Sequence, residues 1–227
     1  LGVTFFDTAD VYDDGRNEIL IGQVLGKKSK EVVIASKAGL IPQSLMPEDA
    51  RYLGLCGHPE YLHKACEASL RRLGRETIDL YYLHRKDPAV PICDSVGALA
   101  DLVQQGKIRA IGLCETDKET LREAHTEHPI TALQSEYSLW SREAERTIIP
   151  TCEELGITFV PYSPLGRGFL GGQIKYADDL QDNDLRKQAP RFQASHIGKN
   201  LELVRELSII SDTLGLTPAQ LALAWIM

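Results

Sequence analysis

The segment Phe5-Phe6-Asp7-Thr8-Ala9-Asp10-Val11-Tyr12 decides the interpretation of the fold, because it changes abruptly from apolar to polar residues. Val3–Phe6 is largely apolar, with Phe5 and Phe6 at successive positions, which predicts a short strand buried on both faces, as in a parallel sheet covered by helices. Asp7 then stands at the carboxyl end of that strand, and Tyr12 follows in a loop. In parallel α/β proteins these are the positions that carry chemistry. The alternative is a capping Asp7 and a Tyr12 that packs at the rim, since polar residues are common at strand ends.

Strands and helices alternate along the rest of the chain. The predicted strands are Val3–Phe6, Glu31–Lys37, Ile78–Leu83, Ile108–Leu113, Thr131–Gln134 and Thr158–Tyr162. The first five predicted helices run from Asn17 to Gly26, from Pro59 to Gly74, from about Val96 to Gly106, from a capping box at Thr116–Glu119, and from Ile148 to Gly156. Pro150 is expected to shorten or kink the fifth of them. Two further helices are predicted, one from Leu201 to Gly215 and one that starts at a second capping box, Thr217–Gln220. The segment Ile41–Gly57 is predicted to be a loop. Strict alternation predicts a parallel sheet with right-handed crossovers.

Two architectures satisfy this alternation, a (β/α)₈ TIM barrel and an open doubly wound sheet. A polar residue stands at or directly after the end of every predicted strand: Asp7, Lys37, His84, Cys114, Gln134 and Ser163. A doubly wound sheet needs such residues at only two or three strands beside one crevice, whereas a barrel gathers all strand ends at one mouth. The barrel is therefore the favoured architecture.

Length and composition set further limits. The chain has 227 residues, 43% of them hydrophobic, and a net charge of -7. This fits a single domain and argues against nucleic acid or a membrane surface as the main partner. No apolar run is long enough to predict a transmembrane helix, and no signal peptide is predicted. The five cysteines are odd in number and lack metal-ligand spacing, so we expect free thiols, no metal site and a cytoplasmic location.

The two ends of the chain predict that it is part of a longer protein. Leu1 stands within an apparent strand, and Met227 within a helical pattern. The expectation is one incomplete barrel domain over residues 1–227, without the first and last barrel strands. A sheet left open at both edges would be prone to instability or aggregation.

Asp7, Tyr12, Lys37 and His84 make a chemical unit if a barrel brings them together. Singly, a lysine at a strand end is usually a solvated charge, and a lone histidine is usually a core or rim residue. Tyrosine hydroxyls ionise near pH 10, so a tyrosine that donates a proton near neutral pH works better beside a cation. Lys37 supplies that cation, Asp7 holds it, and His84 can donate a hydrogen bond to a substrate oxygen. The set suits protonation of a carbonyl oxygen as it becomes an alkoxide.

These residues lie in motifs that run in order along the whole chain. The motifs are Phe6–Ala9 with Tyr12, Gly15–Glu18, Ser36–Lys37, Asp79–His84, Ile111–Leu113, Gln134–Tyr137 and Pro161–Gly166. Together they resemble the aldo-keto reductase superfamily, in a perakine-reductase-like branch. The resemblance implies a (β/α)₈ barrel that reduces aldehydes or ketones, as small-molecule substrates, with NADPH (NADP). It also implies a catalytic tetrad of Asp7, Tyr12, Lys37 and His84, with Tyr12 as general acid.

The resemblance further implies a set of cofactor contacts. Cys114, Glu115 and Gln134 match the residues that hold the nicotinamide carboxamide, and Tyr162 matches the aromatic residue stacked on the ring. The loop along the pyrophosphate matches Ser163, Pro164, Leu165, Gly166 and Arg167. Cys114 departs from the usual serine, and a thiol is a weaker hydrogen-bonding group than a hydroxyl. Asp13 stands where glycine is common. The loop that grips the 2′-phosphate, which decides between NADP and NAD, is expected beyond Met227.

Three other interpretations arise from the same residues. A cofactor-binding regulatory subunit with little turnover, like the potassium-channel β subunits, keeps the same tetrad. A barrel hydrolase or aldolase would instead use Lys37 as a Schiff-base nucleophile. Gly166–Gly171 matches the dinucleotide-binding pattern G-x-G-x-x-G, but the polar segment Gln173–Asp184 that follows offers no second strand, which argues against a Rossmann fold. The polar stretch Gly171–Lys199 is long enough to fold over a cofactor.

Overall fold

The computed structural model describes residues 2–25, 31–46, 54–174, 176, 179–181 and 184–227. Within them the strands are β1 Phe5–Asp7, β2 Val33–Ala38, β3 Leu80–Leu83, β4 Ile111–Cys114, β5 Ala132–Glu136 and β6 Thr158–Tyr162. The α-helices are α1 Arg16–Leu25, α2 Pro59–Leu73, α3 Ile92–Gln104, α4 Lys118–Glu127, α5 Ile148–Leu155, α6 Ala194–Thr213 and α7 Pro218–Ile226.

The six strands form one sheet in the order β1-β2-β3-β4-β5-β6. The pairs from β1 to β5 are parallel, with Lys37 opposite Tyr82 and Cys114 opposite Gln134. Each strand lies beside its neighbour in sequence and the order never reverses, whereas a doubly wound sheet has a point of reversal. The chain therefore forms part of a (β/α)₈ barrel, and the predicted fold class is confirmed.

The chain divides into two compact units, each of which is described by itself. The first comprises Leu1–Ser135 and Thr147–Val160, and the second comprises Glu136–Arg146 and Pro161–Met227. The single domain predicted over residues 1–227 stays a prediction.

Alternation along β2 and β3 sorts the side chains of the first unit into two layers. Ile34 and Tyr81 belong to the larger apolar cluster that the helices cover, which also contains Leu62, Leu73, Leu99 and Leu102. Ala35 and Tyr82 belong to the opposite layer. Gly112 has no side chain because any Cβ would overlap the Tyr82 ring. Since successive side chains in a strand point to opposite faces, Lys37 shares the layer of Tyr82, and Ser36 faces the helices.

The prediction for the first strand is wrong in extent and burial. β1 covers Phe5–Asp7 rather than Val3–Phe6, and Val3 and Phe5 are 63% and 43% exposed. The reason is that β1 pairs only with β2 among the described strands, so one of its edges is not covered.

The start of the first helix also differs from the prediction. A 3-10 turn over Tyr12–Gly15 leads into α1 at Arg16. Asn17 does not cap the helix, because its side-chain oxygen accepts a hydrogen bond from the Thr8 hydroxyl at 2.7 Å. The predicted helix end at Gly26 lies outside the described residues, as do residues 47–53 of the predicted loop.

Three details of the later helices need correction. Asp117, not Thr116, caps α4, because the Asp117 carboxylate accepts from the Thr120 amide at 2.8 Å. Pro150 does not shorten α5, which runs from Ile148 to Leu155, because it lies in the first helical turn, where backbone amides need no partner within the helix. Helix α6 begins at Ala194, before the predicted Leu201.

The second unit has its own apolar cluster. Phe169 packs edge-on against Trp140 and Phe192, with ring centroids 4.6 and 5.5 Å apart. The predicted capping box at the start of α7 is confirmed, since the Thr217 hydroxyl accepts from the Gln220 amide and the Gln220 side chain accepts from the Thr217 amide.

No single helix among the described residues has both the length and the apolar composition needed to cross a membrane. The pair Ser195–Thr213 and Pro218–Ile226, bent by 88°, meets the length and composition criteria only when its two helices are taken together.

Candidate active site

Asp7 and Lys37 meet at the carboxyl ends of neighbouring strands. The Lys37 Nζ donates to Asp7 Oδ2 at 2.5 Å and to the Thr8 carbonyl oxygen at 2.9 Å. The Lys37 side chain is fully buried and that of Asp7 is 30% exposed. A buried ammonium is tolerated only when it is paired and hydrogen-bonded, and both contacts serve that need. The predicted ion pair is confirmed.

Tyr12 is carried back over this ion pair by a short loop. The Asp10 amide donates to the Lys37 carbonyl oxygen at 3.1 Å, and the Tyr12 amide donates to the Ala9 carbonyl oxygen at 3.1 Å. The Lys37 Nζ consequently lies 5.1 Å from the centre of the Tyr12 ring. Tyr12 is 41% exposed, so it borders both the buried cation and solvent.

The turn that follows Tyr12 has an unusual backbone. Asp13 and Asp14 have φ values of 49° and 52°, in the left-handed region that glycine favours. Asp13 stands where the resemblance leads us to expect glycine, so the left-handed conformation is kept with a side chain that tolerates it.

His84 follows β3 directly and faces Tyr12. Their ring centroids are 6.0 Å apart and the rings are nearly perpendicular, at 79°. Burial, with smaller effects of the Lys37 and Arg85 charges, lowers the pKa of His84 to about 3. The imidazole is therefore neutral at physiological pH. Its Nδ1 is buried and has no hydrogen-bond partner among the described residues.

The three predicted carboxamide-binding residues adjoin this group. The Gln134 amide nitrogen donates to Asp7 Oδ2 at 3.4 Å, and the Glu115 backbone amide donates to the Gln134 carbonyl oxygen at 3.0 Å. Glu115 has a left-handed φ of 47°. Burial raises the pKa of the Cys114 thiol to about 12, so the thiol stays protonated. The first unit thus brings together the seven predicted site residues that it contains, which are Asp7, Tyr12, Lys37, His84, Cys114, Glu115 and Gln134.

The remaining predicted site residues form one turn in the second unit. This turn comprises Tyr162, Ser163, Pro164, Leu165, Gly166 and Arg167. The Gly166 amide donates to the Ser163 carbonyl oxygen at 2.8 Å, and Ser163 and Arg167 have left-handed φ values of 52° and 58°. Arg186 fixes the turn from outside, by donating to the Arg167 carbonyl oxygen at 3.0 Å.

A buried polar group that the sequence analysis did not single out lies behind Lys37. Ser36 donates to Glu18 Oε1 at 2.5 Å, and Arg72 Nε donates to Glu18 Oε2 at 2.6 Å. Glu18 and Ser36 are fully buried. We call Glu18, Ser36 and Arg72 the Glu18 cluster. In the sequence Glu18 resembled an ordinary acid in a first helical turn, and only its place within the motif Gly15–Glu18 marked it.

Asp10 lies close to the Glu18 cluster and is buried without a matching cation of its own. It is 2% exposed, and neither carboxyl oxygen has a well-aligned hydrogen-bond donor among the described residues. Burial, reinforced by the Glu18 charge, raises its pKa from 3.8 to about 7, and Arg72 and backbone amides oppose this only in part. Between those values the folded chain keeps a proton that the unfolded chain has lost, so rising pH favours unfolding.

We therefore expect Asp10→Asn to stabilise the protein increasingly as the pH rises. The unfolding free energy of the variant minus that of the wild type should increase by roughly 2–4 kcal/mol between about pH 4 and about pH 8. His84 titrates in the opposite sense below its normal pKa, but it is present in both proteins and cancels in the difference. Urea unfolding at the two pH values measures this, and a difference independent of pH would contradict the buried, raised carboxyl.

A cavity of about 900 Å³ lies at the amino ends of the strands, and its lining includes Val33, Arg75, Asp79 and Arg109. None of the predicted site residues lines it. The chemistry-bearing side chains are gathered at the carboxyl ends of the strands instead, as expected for a barrel.

The chain is similar in sequence to known proteins of one family. The model of the family described as "Aldo/keto reductase family" matches residues 1–227. The chain is 47% identical over its full 227 residues to the curated protein "Probable aldo-keto reductase 1" of Glycine max, of which it spans 64%. The chain is thus shorter than two thirds of this relative.

Solved structures of similar proteins agree with the fold. The glycerol dehydrogenase AKR11B4 from Gluconobacter oxydans is 31% identical and superposes with a TM-score of 0.90, over 99% of this chain and 68% of the other. An aldo/keto reductase from Klebsiella pneumoniae, solved in complex with NADP and acetate, is 28% identical with a TM-score of 0.70, over 98% of this chain and 65% of the other. A second structure of a Klebsiella pneumoniae aldo-keto reductase, with the same scores and coverage, is a complex with NADPH.

Proposed function

The chain belongs to the aldo/keto reductase family, and on that premise we propose that the full-length protein reduces aldehydes or ketones to alcohols with NADPH. The observation that carries the proposal is the grouping of Tyr12 with a buried, paired Lys37 and a neutral His84. Lys37 Nζ and the His84 ring lie 5.1 and 6.0 Å from the Tyr12 ring centre.

The four side chains divide the work of protonating a carbonyl oxygen. Tyr12 donates the proton, and the Lys37 ammonium stabilises the negative charge that the phenol oxygen then acquires. Asp7 keeps Lys37 in place through the 2.5 Å contact. His84 is neutral, because burial depresses its pKa, and so can donate one hydrogen bond to the substrate oxygen without competing as an acid.

The residues present fit a nicotinamide cofactor, which would supply the hydride for the carbonyl carbon. Gln134 and Glu115 offer an amide and a carboxylate to the carboxamide, and Cys114 offers only a weak thiol. Within the second unit, the family resemblance assigns Tyr162 to the nicotinamide ring and the turn Ser163–Arg167 to the pyrophosphate. The backbone amides of such a glycine-containing turn suit phosphate oxygens. The NADP and NADPH complexes of the Klebsiella pneumoniae reductases support this choice of cofactor.

The proposal is tested by measuring NADPH oxidation by the full-length protein over a panel of reactive aldehydes and ketones. We expect turnover numbers in the range of ordinary enzymes, about 1–10³ s⁻¹, for the best substrates. NADPH binding without measurable turnover, together with a stable complex with a membrane protein, would instead indicate a regulatory subunit. Trapping of a substrate on Lys37 by borohydride would indicate Schiff-base chemistry. Either result would overturn the reductase proposal.

A further inference from the structure

We propose that Glu18, held between Ser36 and Arg72, is a positioning residue that sets the placement of Tyr12 over Lys37. The inference rests on the proposed reductase function, because it concerns the geometry of the proposed proton donor. Glu18 itself touches neither Tyr12 nor the Lys37 ammonium by any hydrogen bond or ion pair among the described residues.

The first link runs through β2. Ser36 and Lys37 are consecutive, so their side chains leave the strand on opposite faces. Lys37 Nζ points to Asp7 and Tyr12. The Ser36 hydroxyl donates to Glu18 at 2.5 Å. The strand that carries the proposed cation is therefore held from behind by the Glu18 carboxylate.

The second link runs through the segment between Asp7 and Glu18. This short segment contains both Asp7 and Tyr12, and it passes from β1 through a 3-10 turn into α1. Glu18 anchors its far end to β2, while the Asp10 amide anchors its middle to the Lys37 carbonyl oxygen at 3.1 Å. Tyr12 lies between these two attachments, so the position of its ring depends on both.

The third link is Arg72, which lies under the turn. A Cβ on Gly15 would come within 2.7 Å of Arg72 Cδ and Nε, so the absence of a side chain at Gly15 lets Arg72 reach Glu18 beneath the turn. Arg72 also donates to the Ser69 hydroxyl at 3.3 Å within α2. The guanidinium thus joins α2, the turn and α1 at one point.

The charges explain why a carboxylate suits position 18 better than its neutral amide. Glu18 accepts two hydrogen bonds, one at each oxygen, from a hydroxyl and a guanidinium. A glutamine has one oxygen and one NH₂ group, so it keeps both contacts only with its oxygen toward Arg72 and its NH₂ group donating to the Ser36 hydroxyl, which must then accept instead of donate. It also leaves the Arg72 charge unpaired where the carboxylate was fully buried. Glu18→Gln keeps the volume of the side chain but replaces the ion pair with Arg72 by a neutral hydrogen bond and reverses the bond to Ser36, so it weakens the attachment.

The Glu18 cluster would also help stability if it had no part in positioning, so the test needs a control that is equally structural. Asp79 provides one. It accepts from Arg75 at 2.8 Å and from the Ile34 amide at 3.0 Å, and its side chain is 17% exposed. It precedes β3 at the amino end, whereas His84 follows the carboxyl end. Asp79→Asn therefore breaks a comparable buried ion pair away from the proposed site.

The experiment compares Glu18→Gln, Ser36→Ala and Asp79→Asn in the full-length protein. For Glu18→Gln we expect kcat to fall roughly 10–10²-fold, as for a misplacement of about 1 Å, with the NADPH Kd changed less than about 3-fold. The pH profile of kcat/KM should shift, because Tyr12 would sit differently relative to Lys37.

Amide hydrogen exchange of Glu18→Gln should accelerate in the segment from Thr8 to Arg16. Ser36→Ala, which removes one hydrogen bond and keeps the Glu18–Arg72 ion pair, should give smaller changes of the same sign.

The control and the exchange data separate the possible outcomes. Asp79→Asn should lower thermal stability without moving the pH profile or the exchange of residues 8–16. Equal effects of Glu18→Gln and Asp79→Asn on the profile and on exchange would overturn the positioning role, as would an unchanged kcat in folded Glu18→Gln. A wild-type protein that binds NADPH but reduces nothing would overturn the proposed function, and the exchange comparison would still decide whether Glu18 holds the Tyr12 turn.

Discussion

Replacement of Tyr12 by phenylalanine is expected to reduce aldehyde turnover by at least ~10²-fold, the lower range for loss of a general acid. The variant removes only the hydroxyl. The ring that lies 5.1 Å from Lys37 Nζ and 6.0 Å from the His84 ring remains, so the site should keep its packing. The loss should therefore appear in kcat and not in NADPH affinity, measured by steady-state kinetics and by fluorescence titration.

Tyr61→Phe is the matched control for Tyr12→Phe. The Tyr61 hydroxyl donates to the Leu40 carbonyl oxygen at 2.9 Å, so the variant also loses one phenolic hydrogen bond. We expect Tyr61→Phe to lower the free energy of unfolding by about 1 kcal/mol and to leave turnover unchanged. Turnover of Tyr12→Phe within about tenfold of the wild type, with cofactor still bound, would refute Tyr12 as the proton donor.

Replacement of Lys37 by methionine is expected to have the second large effect, a fall in kcat/KM of roughly 10²–10³-fold, as for removal of one group that stabilises developing charge. Methionine has a similar length and is unbranched, so it can occupy the buried channel of the lysine side chain. What is lost is the cation beside Tyr12, together with the hydrogen bonds to Asp7 and to the Thr8 carbonyl oxygen. Asp7 is 30% exposed and can turn to water, so the variant should still fold.

Lys64→Met is the matched control for Lys37→Met. Lys64 lies on α2 with a side chain that is 75% exposed and pairs with Glu60 at 2.7 Å. A surface pair of this kind contributes little to stability, and its loss should leave kcat/KM unchanged. Near-normal activity of folded Lys37→Met would show that the cation is not needed and would remove the main support for the proposed chemistry.

Much of the fold followed from local patterns in the sequence. Apolar runs separated by helical periodicity predicted six parallel strands in consecutive order, and residues such as Thr217, Pro218 and Gln220 predicted a helix start that the structure confirms. The identity of the polar residues at strand ends predicted which side chains would meet. This worked because in a parallel sheet all carboxyl ends lie on one side, so position in the chain alone assigns Asp7, Lys37 and His84 to one region.

What the sequence could not determine depends on contacts between residues far apart in the chain. The burial of β1 was predicted from its apolar residues. Burial depends, however, on how many neighbours a strand has, and Val3 remains exposed. The sequence carries no sign that Glu18 is buried, and only the packing of α2 against α1 brings Arg72 beneath it. The raised pKa of Asp10 likewise arises from burial beside Glu18. The sequence by itself determined the order of the elements and the chemical groups at the strand ends. Tertiary structure decided which charges are buried and paired, because desolvation and ion pairing depend on distance in space and not on separation along the chain.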